Sequence, residues 1–495
     1  MKKIFYSILL GLSLQVNAQI HQISSFSTGE IEYSTSILDK ENNVIGYTFI
    51  YNNGLNGNKV NYEYVILDKN LNKLTNGNVE YPYNKKIEYR LHQAKFIGND
   101  LVLNFRVNNK SKKTYVGYIN TVVDAKNKSV KSSKFINNFI SEEIPNEKGL
   151  LKKKYPFDNT DYERLRTNHA QTTFFTTYSK EIFTDLFLLK SKELGVYDEN
   201  LNLLFRREIK NQGLFGEKFF EITDFKDKKM IASSIHLKLK GLKAVADVDS
   251  LYVRNLDNNK WDLKINHKTD DSKGLPFNVQ AQLIDDKIAV VTPLNTSTFV
   301  VKGIRRAIYG DKGKSELDNY VMFSDILKPL GFGAKKFDDG YKLELTEVIN
   351  FKDLSFIVLL EKNKIPKVQF GGISKKTEDY ILLYFDEKGQ FKKYFVLDKS
   401  ASKKGYDSYL FTQSDLDNKE VIFYYEDLDE GLLKIKKRDL VINKFSDGQF
   451  THERIPYKTD QSDFRFRNAK FGHIMITEYN DKEKATAIRL ERVNL

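Results

Sequence analysis

Residues 411–427, FTQSDLDNKEVIFYYED, contain the pattern that decides the fold of this chain. Two apolar and aromatic runs flank a short polar turn made of Asp, Asn and Lys, which is typical of a β-hairpin. The theme recurs along the whole sequence, at 36–51, 94–107, 221–237, 279–293, 345–361 and 468–479, with a weaker copy at 176–190. The repeat therefore predicts an all-β protein.

A second hairpin usually follows the first. It reads as an apolar strand, then Asp or Asn, a short turn and another strand, as at 64–74, 194–209, 251–265 and 380–397. Two hairpins, or four strands, per repeat is the unit of a β-propeller blade.

We therefore predict a single β-propeller domain over residues 19–495, with about seven four-stranded blades. The last copy, 464–495, is shorter than the others, so we expect it to complete the blade begun at the N-terminus. Six or eight blades, tandem β-sandwiches and a β-solenoid are the alternatives. Sandwiches predict Pro/Gly/Ser-rich linkers, which the sequence lacks, and a solenoid predicts shorter and stricter repeats.

Two segments interrupt the hairpin pattern. Residues 140–172 are charged and irregular and predict a long loop between blades. Residues 302–340 predict a second loop insertion. Inside it, Leu317, Tyr320, Val321, Ser324 and Leu327 recur at helical spacing, which predicts one short helix.

The N-terminus predicts a cleavable signal peptide over residues 1–18. Lys2 and Lys3 precede an uncharged apolar stretch at 4–14, and Val16-Asn17-Ala18 fits the small-x-small cleavage pattern, with Gln19 next. A helix over this stretch would rise about 1.5 Å per residue and fall far short of a roughly 30 Å bilayer core. We therefore expect export, to the periplasm or the periplasmic side of the outer membrane rather than to the medium, and no membrane span after cleavage.

Composition supports a packed, strand-rich chain without disulfides. Aromatic residues make up 13%, with 35 Phe and 28 Tyr, and there is no Cys. The formal net charge is +13, which favours an acidic partner protein, an anionic surface or an acidic glycan. Nucleic acid is not expected as a partner, because no recognised reader motif is present.

The Ala18-Gln19 boundary, together with the repeated Y-x-x-x-D-x-x-x-x hairpins, resembles the divergent β-propeller proteins exported by Bacteroidota. This resemblance implies the fold and export, and it assigns no functional residue. The single Trp261-Asp262 pair is not a repeated WD motif.

Motifs of catalysis, metal binding and cofactor binding are missing from the sequence. The seven His residues are all more than five residues apart, so HExxH and H-x-H are absent, and G-x-S-x-G does not occur. Gly313-Lys314-Ser315 lacks the first P-loop glycine, because position 308 is Ile. We therefore predict no catalytic residue, cofactor or metal ligand.

Acidic pairs and D-x-D triplets also occur, and we interpret them as polar turns. The pairs are Glu142-Glu143, Asp285-Asp286 and Asp338-Asp339, and the triplets begin at Asp247, Asp415 and Asp427. Glycoside hydrolysis needs two carboxylates across one cleft, whereas adjacent acids in a strand point to opposite faces. None of the triplets continues into an EF-hand loop.

Basic clusters within the two insertions are the candidate partner-binding residues. Loops on one face of a propeller commonly carry its binding function, and aromatic anchors beside charges are typical of interfaces. The candidates are Lys152, Lys153, Lys154, Tyr155, Phe157, Arg305 and Arg306.

The sequence thus predicts a non-catalytic exported binding or scaffold protein that acts by protein–protein contacts at the cell envelope. A soluble subunit that caps or accompanies an outer-membrane channel or secretion complex is its concrete form. The alternative is a glycan-binding protein or glycan-active enzyme that uses the propeller pore.

Overall fold

A computed structural model describes most of the chain. The described residues are 20–22, 25–38, 43–97, 100–137, 140–153, 163–167, 174–182, 188–197, 203–210, 217–226, 229–240, 243–255, 260–268, 273, 275–276, 279–295, 301–310, 312–327, 341–364, 376–400, 409–430, 435–457, 463–479 and 485–493. The predicted signal peptide, 1–18, lies outside them.

These residues form strands in eight antiparallel sheets, which we number I to VIII. The N-terminal strand is β1 (Ile20–Gln22). Sheet I contains β2 (Glu30–Leu38), β3 (Val44–Asn56), β4 (Lys59–Asp68) and β5 (Lys73–Pro82). Sheet II contains β6 (Ile87–Ile97), β7 (Asp100–Asn109), β8 (Thr114–Asp124), β9 (Ser129–Asn137) and β10 (Ile140–Glu143). Sheet III contains β11 (Glu163–Thr167), β12 (Phe174–Ile182), β13 (Leu188–Tyr197) and β14 (Leu203–Lys210). Sheet IV contains β15 (Glu217–Lys226), β16 (Lys229–Lys240), β17 (Lys243–Asn255) and β18 (Lys260–Asn266).

The C-terminal half repeats the arrangement. Sheet V contains β19 (Leu275–Pro276), β20 (Gln280–Ile284), β21 (Lys287–Asn295), β22 (Val301–Tyr309) and β23 (Ser315–Met322). Sheet VI contains β24 (Tyr341–Asn350), β25 (Phe356–Lys364), β26 (Lys376–Phe385) and β27 (Phe391–Leu397). Sheet VII contains β28 (Tyr409–Asp415), β29 (Glu420–Glu430), β30 (Ile435–Ser446) and β31 (Gln449–Pro456). Sheet VIII contains β32 (Asp463–Asn468), β33 (His473–Tyr479) and β34 (Ala485–Arg492), and two short helices are α1 (Glu147–Lys152) and α2 (Phe323–Leu327).

Sheet VIII joins the two ends of the chain, as the short final repeat predicted. The strand β1 pairs antiparallel with β34, in a register that places Ile20 opposite Arg489 and Gln22 opposite Ala487. The three C-terminal strands therefore receive their fourth strand from the N-terminus. The described part has eight sheets where the sequence predicted about seven blades, because this closing sheet is separate from sheet I, which begins at Glu30.

Turns led by Asp explain why the repeats fold as hairpins. The Asp68 carboxylate accepts hydrogen bonds from the Asn70 and Asn72 backbone N–H groups at 2.7 and 2.9 Å. Asp386 does the same for Lys388 and Gln390 at 3.0 and 2.8 Å. A short acidic side chain thus satisfies backbone donors that the ladder leaves unpaired. This confirms the interpretation of these Asp positions as turns.

Apolar clusters lie between neighbouring sheets and fix their order. Separate buried clusters join sheets I and II, IV and V, V and VI, VI and VII, VII and VIII, and VIII and I. In each of these pairs a sheet buries a face against the next one along the chain, and sheet VIII packs in the same way against sheet I. This is a β-propeller-like fold.

Both predicted insertions contain regular structure. The 302–340 segment supplies β22 and β23, so it is largely sheet V, and the predicted helix is reduced to α2. Strand pairing of Leu317 with Ile308 supplies hydrogen bonds that a helix shorter than about 12 residues cannot match in stability. The 140–172 segment contains β10, α1 and β11.

Candidate functional site: a basic cleft between sheets VII and VIII

Turns between the first and second strands, and between the third and fourth, lie together at one end of the sheets. We call this end the tight-turn face. Contacts between its turns confirm the alignment. Lys470 donates to Asn70 Oδ1 across sheets VIII and I at 2.8 Å, and Lys352 pairs with Asp417 across sheets VI and VII at 2.5 Å.

A cleft of about 340 Å³ opens on this face where sheet VII meets sheet VIII, and we call it the VII–VIII cleft. The residues that line it are three basic side chains, a phenylalanine, a glycine and two aliphatic side chains: Lys444, His473, Arg492, Phe471, Gly472, Ile422 and Val493. It lies at the lower end of the size range for small-ligand sites, about 300–1,000 Å³.

Gln413 on β28 fixes the turn that forms one wall of the cleft. Its side-chain amide donates to the backbone carbonyls of Ala469 and His473 at 3.0 and 2.7 Å. Its carbonyl accepts from the Gly472 N–H at 3.0 Å and from the Tyr424 hydroxyl at 3.0 Å. Gly472 has a φ of 71°, which favours glycine. One buried side chain thus determines the turn conformation.

The three basic residues come from different strands. His473 and Arg492 are cross-strand neighbours on β33 and β34, and Lys444 comes from β30 of the preceding sheet. Lys444 pairs with Glu420 at 2.9 Å, and Glu420 also accepts from the Ser446 hydroxyl at 2.9 Å. Within the described residues, Arg492 is exposed and no carboxylate pairs with it.

Burial is the main cause that lowers the pKa of His473, and the charges of Lys470 and Arg492 lower it further against the effect of the Phe471 carbonyl. His473 is therefore neutral at neutral pH, and the positive charge of the cleft comes from Lys444 and Arg492. This arrangement suits an anionic group.

The structure separates the predicted partner-binding residues. Lys152 is the exposed last residue of α1, and Lys153 is half-buried and pairs with Glu142 at 2.5 Å. The backbone N–H of Lys153 also donates to the Gly149 carbonyl at 3.2 Å at the end of α1. Lys154, Tyr155 and Phe157 lie outside the described residues.

Arg305 lies in β22 rather than in a loop, and it is 4% exposed. Its guanidinium forms a two-point ion pair with Asp318, Nε to Oδ1 and Nη2 to Oδ2, both at 2.7 Å. It also donates to the His267 carbonyl at 3.0 Å. The loop placement was wrong because β22 continues the ladder of sheet V. Arg305 joins β22 to β23 and to the segment after β18.

Arg306, on the opposite face of the same strand, is fully buried. It donates to Asn350 Oδ1 at 2.6 Å and to the Leu354 carbonyl at 2.8 Å, and it lies 4.4 Å from the centre of the Phe356 ring. Its loop placement was also wrong. Arg306 ties sheet V to the first turn of sheet VI.

Other buried polar groups are likewise used inside the fold. His267 contacts the Tyr309 hydroxyl at 2.8 Å and Thr292 Oγ1 at 2.7 Å. Burial, assisted by the charge of Arg305, lowers the pKa of His267 to about 3. The imidazole is therefore neutral, as expected for a structural histidine.

Carboxylates on first strands bind neighbouring sheets. Glu347 on β24 accepts from the Tyr409 hydroxyl and, at 2.6 Å, from the Thr412 hydroxyl, both on β28. Asp224 on β15 accepts from the Leu283 N–H on β20 at 2.7 Å. These acids hold adjacent first strands together near the axis of the sheets.

Two of the acidic motifs singled out in the sequence have structural partners. Asp415 accepts from the Asn418 N–H at 3.0 Å, and Asp427 pairs with Arg454 at 2.5 Å. Across the part of the chain that the structure describes, no group of three or more His, Asp or Glu side chains could hold a metal ion. Among the described helices, none has the length and hydropathy of a transmembrane helix.

Sequence reasoning missed the VII–VIII cleft. Its lining residues are spread from Ile422 to Val493, and its cations have no local spacing in common. Only the pairing of β33 with β34, and the packing of sheet VII on sheet VIII, bring them together.

Part of the chain matches a protein family model. Residues 346–494 match a family of unknown function, DUF6770, which covers most of sheets VI to VIII. No curated protein matches the chain.

Three solved structures illustrate the similarity. Polysaccharide lyase Uly1 is 10% identical, with a TM-score of 0.41, over 84% of this chain and 92% of that one. The WD40 domain of SCAP from fission yeast is 6% identical, with a TM-score of 0.39, over 97% and 98%. The β-propeller domain of the Trilobed protease from Pyrococcus furiosus is 12% identical, with a TM-score of 0.34, over 86% and 97%. A likeness of this degree assigns no activity to the chain.

Proposed function

We propose that this chain is an exported, non-catalytic binding or scaffold protein that acts by protein–protein contacts at the cell envelope. Its eight sheets are the blades of a single propeller. More specifically, we propose a soluble subunit that caps or accompanies an outer-membrane channel or secretion complex on the periplasmic side.

The observation that supports this function is the use of the buried charged groups at sheet boundaries. Arg306, Glu347 and Asp224 each bind backbone or hydroxyl groups of the next sheet. A catalytic acid or base must reach a substrate proton directly or through one water, and these side chains are committed to protein partners. These charged side chains therefore stabilise the contacts between sheets, and the proposed binding function is assigned to the surface.

The glycan-active alternative would use carboxylates near the axis of the sheets. Glu347 is such a carboxylate, and Tyr409 and Thr412 already bind it. A screen of the purified protein for cleavage and retention on neutral and acidic polysaccharides tests this alternative. Turnover that is lost in Glu347→Gln but kept in an exposed control, Glu387→Gln, would replace the binding function with an enzymatic one.

Affinity purification from envelopes tests the proposed function. The tag is best inserted after Gly57, in the exposed β3–β4 turn at the end of sheet I opposite the tight-turn face. We expect an envelope protein to co-purify in a fixed ratio after mild detergent extraction and short crosslinking. Recovery of the full yield as a lone chain under both conditions would contradict the proposal.

Export is tested separately by N-terminal sequencing and fractionation. We expect the purified chain to begin at Gln19 and to be released with periplasmic contents or retained with outer membranes. A chain that begins at Met1 in the cytoplasmic fraction would contradict the predicted signal peptide.

A further inference from the structure

The VII–VIII cleft has a chemical character that the other boundaries described above do not share. At the V–VI boundary, Arg306 is a buried cation whose partners lie inside the protein. In contrast, Lys444 and Arg492 border an open space of about 340 Å³. The cleft therefore combines positive charge with room for a ligand group.

None of the residues that line the cleft is acidic, and the carboxylate that pairs with Lys444, that of Glu420, is not part of the lining. Glu420 lies behind Lys444, and its oxygen is shared between Lys444 and the Ser446 hydroxyl. An ammonium has three donors, so Lys444 can bind Glu420 and a second acceptor at the same time. Arg492 can present two parallel N–H donors to a carboxylate.

The remaining lining distinguishes a peptide from a sugar. Ile422 and Val493 form an apolar floor, 2% and 8% exposed, and Phe471 packs partly buried beside them. No hydroxyl or carboxamide side chain lines the cleft. The hydroxyls of a sugar ring could accept from the basic side chains but would lose water against the apolar floor, whereas an apolar peptide side chain gains from burial there.

We propose that the VII–VIII cleft binds an acidic segment of a partner protein. Arg492 and Lys444 receive one carboxylate, and Phe471 with the apolar floor accepts a neighbouring apolar side chain. This inference rests on the proposed function, and it identifies the surface and the kind of partner. The turn held by Gln413 keeps the cleft open before binding, which reduces the ordering cost.

A fluorescent, end-blocked short peptide that alternates Glu with Phe and Leu is the probe, and the matched peptide with Gln in place of Glu is the control. Binding to the full-length mature chain is measured by anisotropy at low and high salt. We expect binding of the Glu peptide only, weakened by salt because exposed charges are screened.

Arg492→Gln should weaken binding by about tenfold, and the double variant with Lys444→Gln should weaken it further. Arg492→Lys should recover part of the loss because it restores the charge. Arg90→Gln is the matched control, since Arg90 is an exposed arginine on sheet II, where it pairs with Glu88. Near-ultraviolet circular dichroism verifies that each variant is folded.

Equal binding of the Glu and Gln peptides, or unchanged binding by Arg492→Gln, would overturn the inference. A uronic acid oligosaccharide that binds more tightly than the peptide and loses affinity in Arg492→Gln would also overturn it, in favour of a glycan. If the tagged Arg492→Gln chain still co-purifies with the envelope partner, the cleft assignment fails while the proposed function stands.

Discussion

Two boundaries of the molecule, between sheets V and VI and between sheets VII and VIII, are held by different kinds of side chain. In each, a buried polar side chain of one sheet binds the backbone of the next sheet's first turn. At the first boundary the side chain is Arg306, which binds the Leu354 carbonyl and Asn350. At the second it is Gln413, which binds the turn from Ala469 to His473.

The two boundaries differ in the position of their charged groups. Burial lowers the pKa of Arg306 to about 10, so the guanidinium is still charged at neutral pH and is enclosed with Phe356. The side chain that ties sheets VII and VIII is neutral, and the cations lie outside it around a cleft. The buried charge of Arg306 stabilises the contact between sheets V and VI. The charges at the VII–VIII boundary lie at the surface, where they can bind a ligand.

The largest expected loss of folding stability follows from a substitution at the V–VI boundary. Arg306→Ala removes two charge-assisted hydrogen bonds and leaves the buried Asn350 and Leu354 acceptors unpaired. We expect the free energy of unfolding to fall by about 3 kcal/mol. Urea unfolding followed by tyrosine fluorescence measures it. Arg90→Ala, an exposed arginine, should change stability by about 0.5 kcal/mol or less, and equal effects of the two would remove the distinction.

A smaller effect is expected at the VII–VIII boundary. Gln413→Ala leaves several buried carbonyls of the turn without a donor, at a cost of about 2 kcal/mol. Hydrogen exchange should speed up in residues 469–473 and stay unchanged in residues 351–355. Uniform acceleration in both turns would show that Gln413 supports the whole fold rather than the cleft wall.

The buried neutral base His267 should make the free energy of unfolding depend on pH, in contrast to the buried cation Arg306. The pKa of His267 is about 3 in the folded state against 6.5 for the free side chain, so only the unfolded state takes up a proton between these values. Stability contributed by His267 is present above about pH 6.5 and is lost as the pH falls, by about 1.4 kcal/mol per unit at most.

Urea unfolding between pH 7 and 5 measures this slope. His267→Gln should flatten it, whatever its effect on stability at pH 7. His452→Gln is the control because His452 is exposed. If the free energy of unfolding depends on pH with the same slope in both variants, the pH dependence arises from residues other than His267.

The smallest effect on stability is expected from the cleft itself. Lys444→Gln and Arg492→Gln should each change the free energy of unfolding by less than about 1 kcal/mol, because the ion pair of Lys444 with Glu420 is partly exposed and Arg492 is an exposed side chain. Thermal melts of the single variants check this. A large loss of stability would make these cations structural, like Arg306.

The repeated hairpins made the strand content and the shared closing sheet predictable. The Asp-led turns were visible in the sequence because Asp68 and Asp386 bind donors two to four residues away. The helix predicted from the spacing of Leu317 to Leu327 was mostly wrong, since pairing with β22 outweighs local periodicity.

Sequence reasoning assigned Arg305 and Arg306 to a loop because they fall within the predicted insertion at 302–340. Their partners, Asp318 and Leu354, lie 13 and 48 residues away, and only the register and sheet packing reveal them. The cleft could not be predicted for the same reason. Its two cations, Lys444 and Arg492, belong to strands of two different sheets.

The pairing of Ile20 with Arg489 has a consequence for the order of folding. Strand β1 has no partner until β34 has been synthesised, so the other seven described sheets can assemble before this pairing forms. Closure over such a sequence separation is slow. During that interval β34 presents a free strand edge, and a helper that occupies it would protect the chain from aggregation.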